Sequence, residues 1–131
     1  MTDPTRKVTI GGTTIILPST ARVVRLSKSV SAAATTYTME EAGTDYVVPT
    51  GKKLWIMEIK QASDSADIHI SIYKHTVVDT AGGTLIDRAV SYAASNTHTA
   101  LISVEAAKYI NLNPAGNQTS HITVIGVELD V

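Results

Sequence analysis

The residues best suited to metal binding in this sequence are its four histidines, His69, His75, His98 and His121. His69 and His75 are six residues apart, which places them on one face of an unbroken strand but about 20 Å from each other. That separation is too large for a shared metal ion, unless the chain folds back near Thr76. The pattern predicts four histidines on polar faces or rims, and no bound metal or other cofactor.

Acid–base and nucleophilic chemistry find equally little support in the residue pattern. The chain has no cysteine, so a thiol nucleophile is missing, and it has no Gly-x-Ser-x-Gly motif, so no serine lies in a nucleophile-elbow setting. A glycosidase needs two carboxylates that face one cleft, and no such pair is marked out. Glu58, within an apolar run, is expected either on a solvated strand edge or buried in a structural ion pair with a partner such as Lys60 or Arg88. We therefore expect a protein that is not an enzyme.

Aromatic residues are few, with five tyrosines, one tryptophan and no phenylalanine. If Trp55, Met57 and Ile59 share a face that packs inside the protein, Trp55 is a core anchor, and this is the first expectation. If that face is open, Trp55 with Tyr46 or Tyr73 forms an aromatic patch. Such a patch stacks on a sugar or anchors a protein interface.

The charges are unevenly divided along the chain. Residues 1–33 carry a net charge of +4, and residues 34–131 carry a net charge of −5. A basic leading segment on an acidic body predicts an arm that docks on an acidic surface. The alternative is that these charges keep strand faces in water. The predicted contact residues are Arg6, Lys7, Arg22, Arg25 and Lys28.

Two partner classes are disfavoured by the same composition. No cluster of Lys and Arg is interleaved with aromatic residues, which argues against nucleic-acid binding. No apolar run approaches the roughly 20 residues that a membrane span requires. We expect neither nucleic acid nor a membrane as a partner.

Short runs of alternating apolar and polar residues recur along the chain, separated by turn residues at intervals of roughly 8–12 residues. In the run from Ile68 to Tyr73, three isoleucines alternate with polar residues, which is the period of a half-buried strand. Nine or ten strands are predicted in this way. The small and polar residues 27–34 are predicted to form a linker or loop.

Two Pro-x-Gly stretches, 48–51 and 113–116, lie about 65 residues apart and indicate two similar halves, as in the two Greek keys of a jelly roll. In each we expect Pro at the second and Gly at the fourth turn position. The predicted fold is all-β, an antiparallel and jelly-roll-like β-sandwich with an extended N-terminal segment. Residues 1–33 form an N-terminal arm or leading strands, and residues 34–131 form the sandwich body.

The stretch YVVPTGKKLWIMEI resembles a pattern in small β-sandwich proteins of bacteriophage particles, where a Tyr-x-Val-Pro-x-Gly-Lys turn enters an apolar strand. The closing IGVELDV is similar to the terminal strand of such proteins. The residues on which the first resemblance rests are Tyr46, Val48, Pro49, Gly51, Lys52 and residues 54–59. The resemblance implies a virion structural protein, foremost a capsid decoration (auxiliary head) protein, or else a tail or fibre component.

The same resemblance implies the partners. These are the major capsid protein or other virion proteins and further copies of this chain, in a homo-oligomer with a trimer favoured. It implies a virion location, after assembly in the host cytoplasm, and no catalytic residues carry over. The alternative is a carbohydrate-binding or receptor-binding β-sandwich module, as in a tail fibre or a lectin-like protein. That module would bind a glycan through Trp55, Tyr46 and Tyr73.

Overall fold

A computed structural model of the chain describes residues 5–10, 12–63, 68–91, 95–117 and 119–131. Regular structure in these residues is β-strand throughout, and none of them forms a helix long and apolar enough to cross a membrane. The strands are β1 (Thr5–Ile10), β2 (Thr13–Pro18), β3 (Arg22–Val30), β4 (Tyr37–Thr38), β5 (Glu40–Glu41), β6 (Thr44–Asp45), β7 (Lys52–Ser63), β8 (Ile68–His75), β9 (Thr84–Ser91), β10 (Ser95–Val104), β11 (Tyr109–Pro114) and β12 (Ser120–Asp130).

Ten of these strands form two antiparallel sheets. The six-stranded sheet has the order β10-β7-β12-β3-β5-β6, and the four-stranded sheet has the order β4-β11-β8-β9. Strands β1 and β2 form a separate two-stranded ribbon. The arrangement confirms the predicted class, an antiparallel jelly-roll-like β-sandwich.

The hydrophobic core lies between the inner faces of the two sheets. Ile70 and Ile72 of β8 are fully buried, while Ser71 and Tyr73 between and beside them are not, as the alternation predicts. The buried members of the core are Val24, Leu26, Val30, Met39, Tyr46, Val48, Leu54, Ile56, Ile59, Ile70, Ile72, Val104, Ile110, Leu112, Ile122 and Val124. Both sheets therefore contribute branched aliphatic side chains, which suit the pleated surface of a strand.

Strand β7 changes its side-chain phase at a bulge. Its register with β12 shifts beside Gly126, and the core residues Ile56 and Ile59 on either side are three positions apart. The prediction that Ile59 shares a face with Trp55 and Met57 is therefore wrong, because the extra residue breaks the period of two. A Cβ atom at Gly126 would lie 2.7 Å from the Trp55 carbonyl oxygen. The backbones of β7 and β12 therefore approach closely at that glycine.

The two Pro-x-Gly stretches have different structures. The Lys52 N–H donates to the Pro49 carbonyl at 3.1 Å, and Gly51 has a φ of 79°, so Gly51 occupies the third turn position rather than the fourth. Pro114 is instead the buried last residue of β11, and its carbonyl accepts a hydrogen bond from the Ala34 N–H. The predicted similarity of two halves is wrong here, because strand pairing overrides the local turn preference.

Residues 1–33 divide between the ribbon and the sandwich. Strand β3 pairs with β12 along its whole length, and its Val24, Leu26 and Val30 belong to the core. Strand β3 is thus part of the body and not of an arm. The loop predicted over residues 27–34 is a strand as far as Val30, because its small polar residues occupy the outward positions.

The β1–β2 ribbon lies on the outer face of the six-stranded sheet. Ile10 and Leu17 are buried there against outward-facing residues of β12. A turn closed by the Ala21 N–H and the Pro18 carbonyl, at 3.0 Å, connects the ribbon to β3. Because an isolated two-stranded hairpin is marginally stable in water, side-chain packing on the sheet is what holds the ribbon in place.

Candidate assembly surface

The outer face of the six-stranded sheet carries a second apolar cluster, separate from the core between the sheets. An antiparallel sheet usually alternates apolar and polar residues when one face meets water, so apolar residues on both faces indicate a second cover. The cluster comprises Ile10, Leu17, Ala21, Ile125 and Val127, which are buried, and Val8, Ile15, Val23, Met57 and Leu129, which are partly buried. These ten residues and Trp55 are called the outer apolar face below.

The sequence of β12 explains why this face is apolar. Ile122 and Val124 point into the core, whereas Ile125, Val127 and Leu129 point outward. In the middle of β12, the residues that face the core and the residues that face outward are therefore both apolar.

The ribbon covers the outer surface of the six-stranded sheet incompletely, and an open pocket of about 360 Å³ remains beside it. The pocket lies between β2, β7 and β12 and is lined by Ile15, Leu17, Trp55, Met57, Val127 and Leu129. All six lining side chains are apolar. At the rim, Lys53 Nζ lies 5.7 Å from the centroid of the Trp55 ring, a distance at which the ring attracts a cation. Trp55 therefore lines the outer pocket and not the core.

The three aromatic residues predicted to form one patch lie in three different places. Tyr46 is only 4% exposed, in the core, and its hydroxyl donates to Glu128 Oε2 at 2.7 Å. Trp55 lines the outer pocket, and Tyr73 lies on the other sheet, opposite Leu85 and on the face turned away from the core. The shared patch is therefore a wrong prediction, because these side chains belong to different faces of the sandwich.

Three of the five basic residues predicted to dock on an acidic surface are engaged within the chain. Arg22 is held by two carboxylates, and Lys28 Nζ lies 2.9 Å from a carboxylate oxygen of Glu40. Arg6 Nη2 donates to the Ala21 carbonyl at 2.6 Å. The charges of Arg22 and Lys28 are compensated by carboxylates, and Arg6 is bonded to the backbone, so these three residues do not form a free basic arm.

The other two predicted basic residues are exposed near the outer apolar face. Lys7 is paired in register with Ile16 across the ribbon. Arg25 lies on β3 opposite Ile125 of β12. Ile16 itself is 66% exposed, on the side of β2 that faces away from the sheet. The sequence did not single out Ile16, although the strict alternation in β2 places it opposite to Ile15 and Leu17.

A buried carboxylate, Glu128, lies at one end of the sandwich. Its side chain is only 4% exposed, and Arg22 Nη2 approaches its Oε2 at 2.9 Å. Burial by itself would raise the pKa of Glu128, but the hydrogen bonds from Arg22 and Tyr46 outweigh it, so this pKa lies below its ordinary value. Burial and the bond to Glu128 raise the pKa of Tyr46, and the bonds to Glu128 and then Glu41 raise that of Arg22.

A short hairpin brings Glu41 to this cluster. Ala42 and Gly43 have φ values of 51° and 86°, which is the conformation of a two-residue hairpin turn between β5 and β6. Arg22 Nη1 then donates to Glu41 Oε2 at 2.6 Å, beside a shallow pocket of about 240 Å³. The sequence signal for the cluster was a carboxylate at position 128, on the inward phase of an otherwise apolar strand.

The remaining acidic residues of interest form structural ion pairs. Glu58, buried on β7, lies 3.2 Å from Lys60 Nζ, which confirms one of its two predicted partners. Glu105 accepts a hydrogen bond from Lys74 at 2.9 Å and lies 3.1 Å from Lys108. The bond from Lys74 is the main reason that the pKa of Glu105 is lowered to about 2.

The histidines lie apart in the part of the chain that is described. His75 Nε2 is 3.0 Å from the Ala81 carbonyl, and His121 Nδ1 is 3.0 Å from the Ser29 hydroxyl. The side chain of His98 lies outside the described residues. No group of three or more His, Cys, Asp or Glu side chains in the described ranges is placed to hold a metal ion.

The comparisons with known proteins bear on the fold. No family model matches the chain, and no curated protein matches it. A solved structure described as "Structure of Eiger TNF from S. frugiperda" is similar to it, with a TM-score of 0.52 and 12% sequence identity. The similarity covers 85% of this chain and 94% of that one. At this identity the likeness concerns the fold alone: the two chains share a jelly-roll β-sandwich architecture.

Proposed function

We propose that this protein is a non-enzymatic structural subunit that assembles with copies of itself through its outer apolar face. The observation that carries the proposal is the open apolar pocket between the ribbon and the six-stranded sheet. Water in contact with Trp55 and Leu129 is displaced favourably when a second protein covers them, because burial of apolar surface drives most protein association. An aromatic anchor in such a site commonly supplies a large part of the binding energy.

The setting that we propose is a phage-like virion, with the chain as a capsid decoration protein bound to the shell through subunit contacts. The resemblance of the stretch 46–59 to virion β-sandwich proteins supports this setting. A closed homo-oligomer, with a trimer favoured, would display the four-stranded sheet outward and bury the ribbon side. The other partners are the major capsid protein or neighbouring virion proteins, and assembly takes place in the host cytoplasm.

The carbohydrate-binding alternative finds less support in the geometry. Its three aromatic residues lie apart, and the pocket that contains Trp55 has no polar lining side chain to bond a sugar hydroxyl. A lectin-like site needs both a stacking ring and such polar groups. A glycan screen that finds binding abolished by Trp55→Ala, in a chain that remains folded, would favour the alternative.

The proposal is tested by measuring the solution mass by light scattering and sedimentation over a wide range of protein concentration. Leu129→Glu places a charge in the pocket wall and should shift the protein towards monomer. Leu85→Glu is the matched control, because Leu85 is equally apolar and 49% exposed but lies on the other sheet. Wild-type protein that stays monomeric at every concentration, or equal effects of the two substitutions, would refute assembly through this face.

The virion setting needs a separate experiment. Antibodies against the chain should label purified phage-like particles from the source culture in electron microscopy, and the chain should be found in those particles by mass spectrometry. Absence of the chain from particles whose capsid proteins are detected would remove the virion setting, while self-assembly would still stand on the mass measurement.

A further inference from the structure

The apolar pocket on the outer face is suited to an aliphatic chain. The surface that its six lining residues turn towards the pocket is wholly apolar. A sugar or a peptide backbone placed there would lose its hydrogen bonds with water without compensation. An alkyl chain has no such bonds to lose, and the volume of about 360 Å³ leaves room for one to lie against the sheet.

One end of the pocket carries a positive charge. Lys53 lies on the same face of β7 as Trp55, because the two residues are two positions apart, and it is opposite Leu129 in the register of β7 and β12. Its Nζ is 5.7 Å from the centroid of the Trp55 ring. The ammonium group is therefore placed where Trp55 and Leu129 line the pocket.

In the part of the chain that is described, Lys53 is the lysine of β7 that has no carboxylate partner. Lys52 pairs with Asp130, and Lys60 Nζ lies 3.2 Å from a carboxylate oxygen of Glu58. The contact recorded for the Lys53 ammonium is the one with the aromatic ring. A ligand carboxylate at this point would therefore meet a positive charge that no acidic side chain compensates.

An aliphatic surface next to one uncompensated cation favours a ligand with an alkyl chain and an anionic head. Burial of the chain supplies most of the binding free energy, and the charge pair, which stays in contact with water, supplies the preference for an anion. A cationic amphiphile has the same chain but meets Lys53 as a like charge. A bilayer binds side chains that protrude into it, whereas these six line a depression.

We propose that the pocket of the free subunit binds a single-chain fatty acid, with the alkyl chain against Trp55 and Met57 and the carboxylate at Lys53 Nζ. The inference goes beyond the self-assembly proposed above and does not depend on it. Where subunits assemble through the outer apolar face, the alkyl chain and the second copy need the same surface. The fatty acid is then a competitor that favours the free subunit.

Quenching of Trp55, the sole tryptophan, measures the occupancy of the pocket. Decanoic acid that carries bromine on its chain is added to the wild-type protein, below the concentration at which it forms micelles. The quenching should saturate with a single ligand bound per chain, as counted by calorimetric titration. Unlabelled decanoate should reverse the quenching by displacement, whereas decyltrimethylammonium at the same concentration should not.

Lys53→Met removes the charge and keeps a side chain of similar length. It should raise the dissociation constant of brominated decanoate by about two- to fivefold, as for an exposed charge pair, and leave that of brominated decanol unchanged. Lys7→Met is the matched control, because it makes the same change in net charge at an exposed position on the opposite phase of β1 from Val8 and Ile10. It should leave both constants unchanged, and circular dichroism checks that both variants keep the wild-type fold.

The outcomes separate this inference from the self-assembly. Saturable quenching that Lys53→Met weakens and Lys7→Met does not weaken supports the fatty-acid site. Quenching without saturation, or equal affinities of the wild type for the acid and the alcohol, overturns it. Stronger quenching by vesicles of brominated phosphatidylglycerol than by the free acid also overturns it, because the occupant is then a membrane surface. In light scattering, a wild-type chain that is monomeric at every concentration overturns self-assembly alone, and an oligomer that decanoate dissociates as it quenches Trp55 supports both.

Discussion

Asn111 fastens the β8–β9 loop to the outer side of the four-stranded sheet, and its replacement is the sharpest test of the structure. The Asn111 side chain is fully buried on β11. Its Nδ2 donates to the carbonyls of Val77 and Asp79 at 2.9 and 2.7 Å, and its Oδ1 accepts from the Thr38 hydroxyl at 2.9 Å. One amide therefore joins the edge strand β4, the middle strand β11 and the loop.

The expected loss of stability follows from these three bonds. A hydrogen bond within a protein contributes about 1 kcal/mol net, and an unsatisfied buried group costs more. Asn111→Ala should therefore lower the free energy of unfolding by about 2–4 kcal/mol. The loss is at the upper end of this range if no water replaces Asn111 as the hydrogen-bond partner of the Thr38 hydroxyl. Asn111→Asp has the same shape but sets an oxygen against two carbonyls, so its loss at pH 7 should exceed that of Asn111→Ala.

Urea unfolding followed by Trp55 fluorescence measures these differences, and limited proteolysis reports the loop. Both Asn111 variants should expose residues 76–83 to cleavage before global unfolding. Thr38→Val removes one bond and leaves Asn111 Oδ1 without that donor, so it should cost about 1–2 kcal/mol, with the loop still protected. The Asn111→Asp deficit should shrink as the pH falls and the carboxyl gains a proton to donate. A loss below about 0.5 kcal/mol for Asn111→Ala, or equal losses for all three variants, would refute the reasoning.

Three further predictions concern the bulge, the buried carboxylate and the N-terminal segment. Gly126→Ala adds a methyl group against β7 backbone and should cost about 1–3 kcal/mol in urea unfolding; an unchanged midpoint would contradict the close approach. Because the folded-state pKa of Glu128 is lowered, its contribution is present above the unfolded-state pKa and is lost as the pH falls through the folded-state pKa. Stability measured from pH 7 to 2 should therefore decline more steeply in the wild type than in Glu128→Gln, and parallel curves would speak against it. Deleting residues 1–33 removes β3 and should abolish folding, whereas a chain lacking only residues 1–20 should keep a cooperative transition; a folded product of the longer deletion would show that β3 is dispensable.

The strongly periodic parts of the fold could be predicted from the sequence. The isoleucines of β8 and the outward residues of β12 follow the period of two, which depends only on the geometry of an extended chain. Gly126 is visible in the sequence as an isolated glycine in an apolar strand, which commonly indicates a bulge or a close approach of backbone. The pairing of Glu58 with Lys60 could also be predicted from the sequence, because the two residues are close in the chain.

The predictions that failed depended on contacts between distant parts of the chain. The bulge in β7 moved Ile59 to the core face, and no local pattern marks where a strand gains an extra residue relative to its neighbours. Arg22 looked free in the sequence, yet β12 brings Glu128 to it from the far end of the chain. The aromatic patch failed because strand order, which the sequence does not display, distributes its members over different faces.

By itself, the sequence determined that this protein is a β-sandwich of branched aliphatic residues. Alternation and turn residues act within a few positions of the chain, and they are sufficient to specify strands. Only the tertiary structure decided which faces those strands share. It placed Trp55 in an open pocket beside Leu129, left Ile16 in water on the ribbon and buried Glu128 against Arg22. These outcomes depend on sheet order, register and a single bulge, because a face of a sheet exists only once strands from distant parts of the chain have paired.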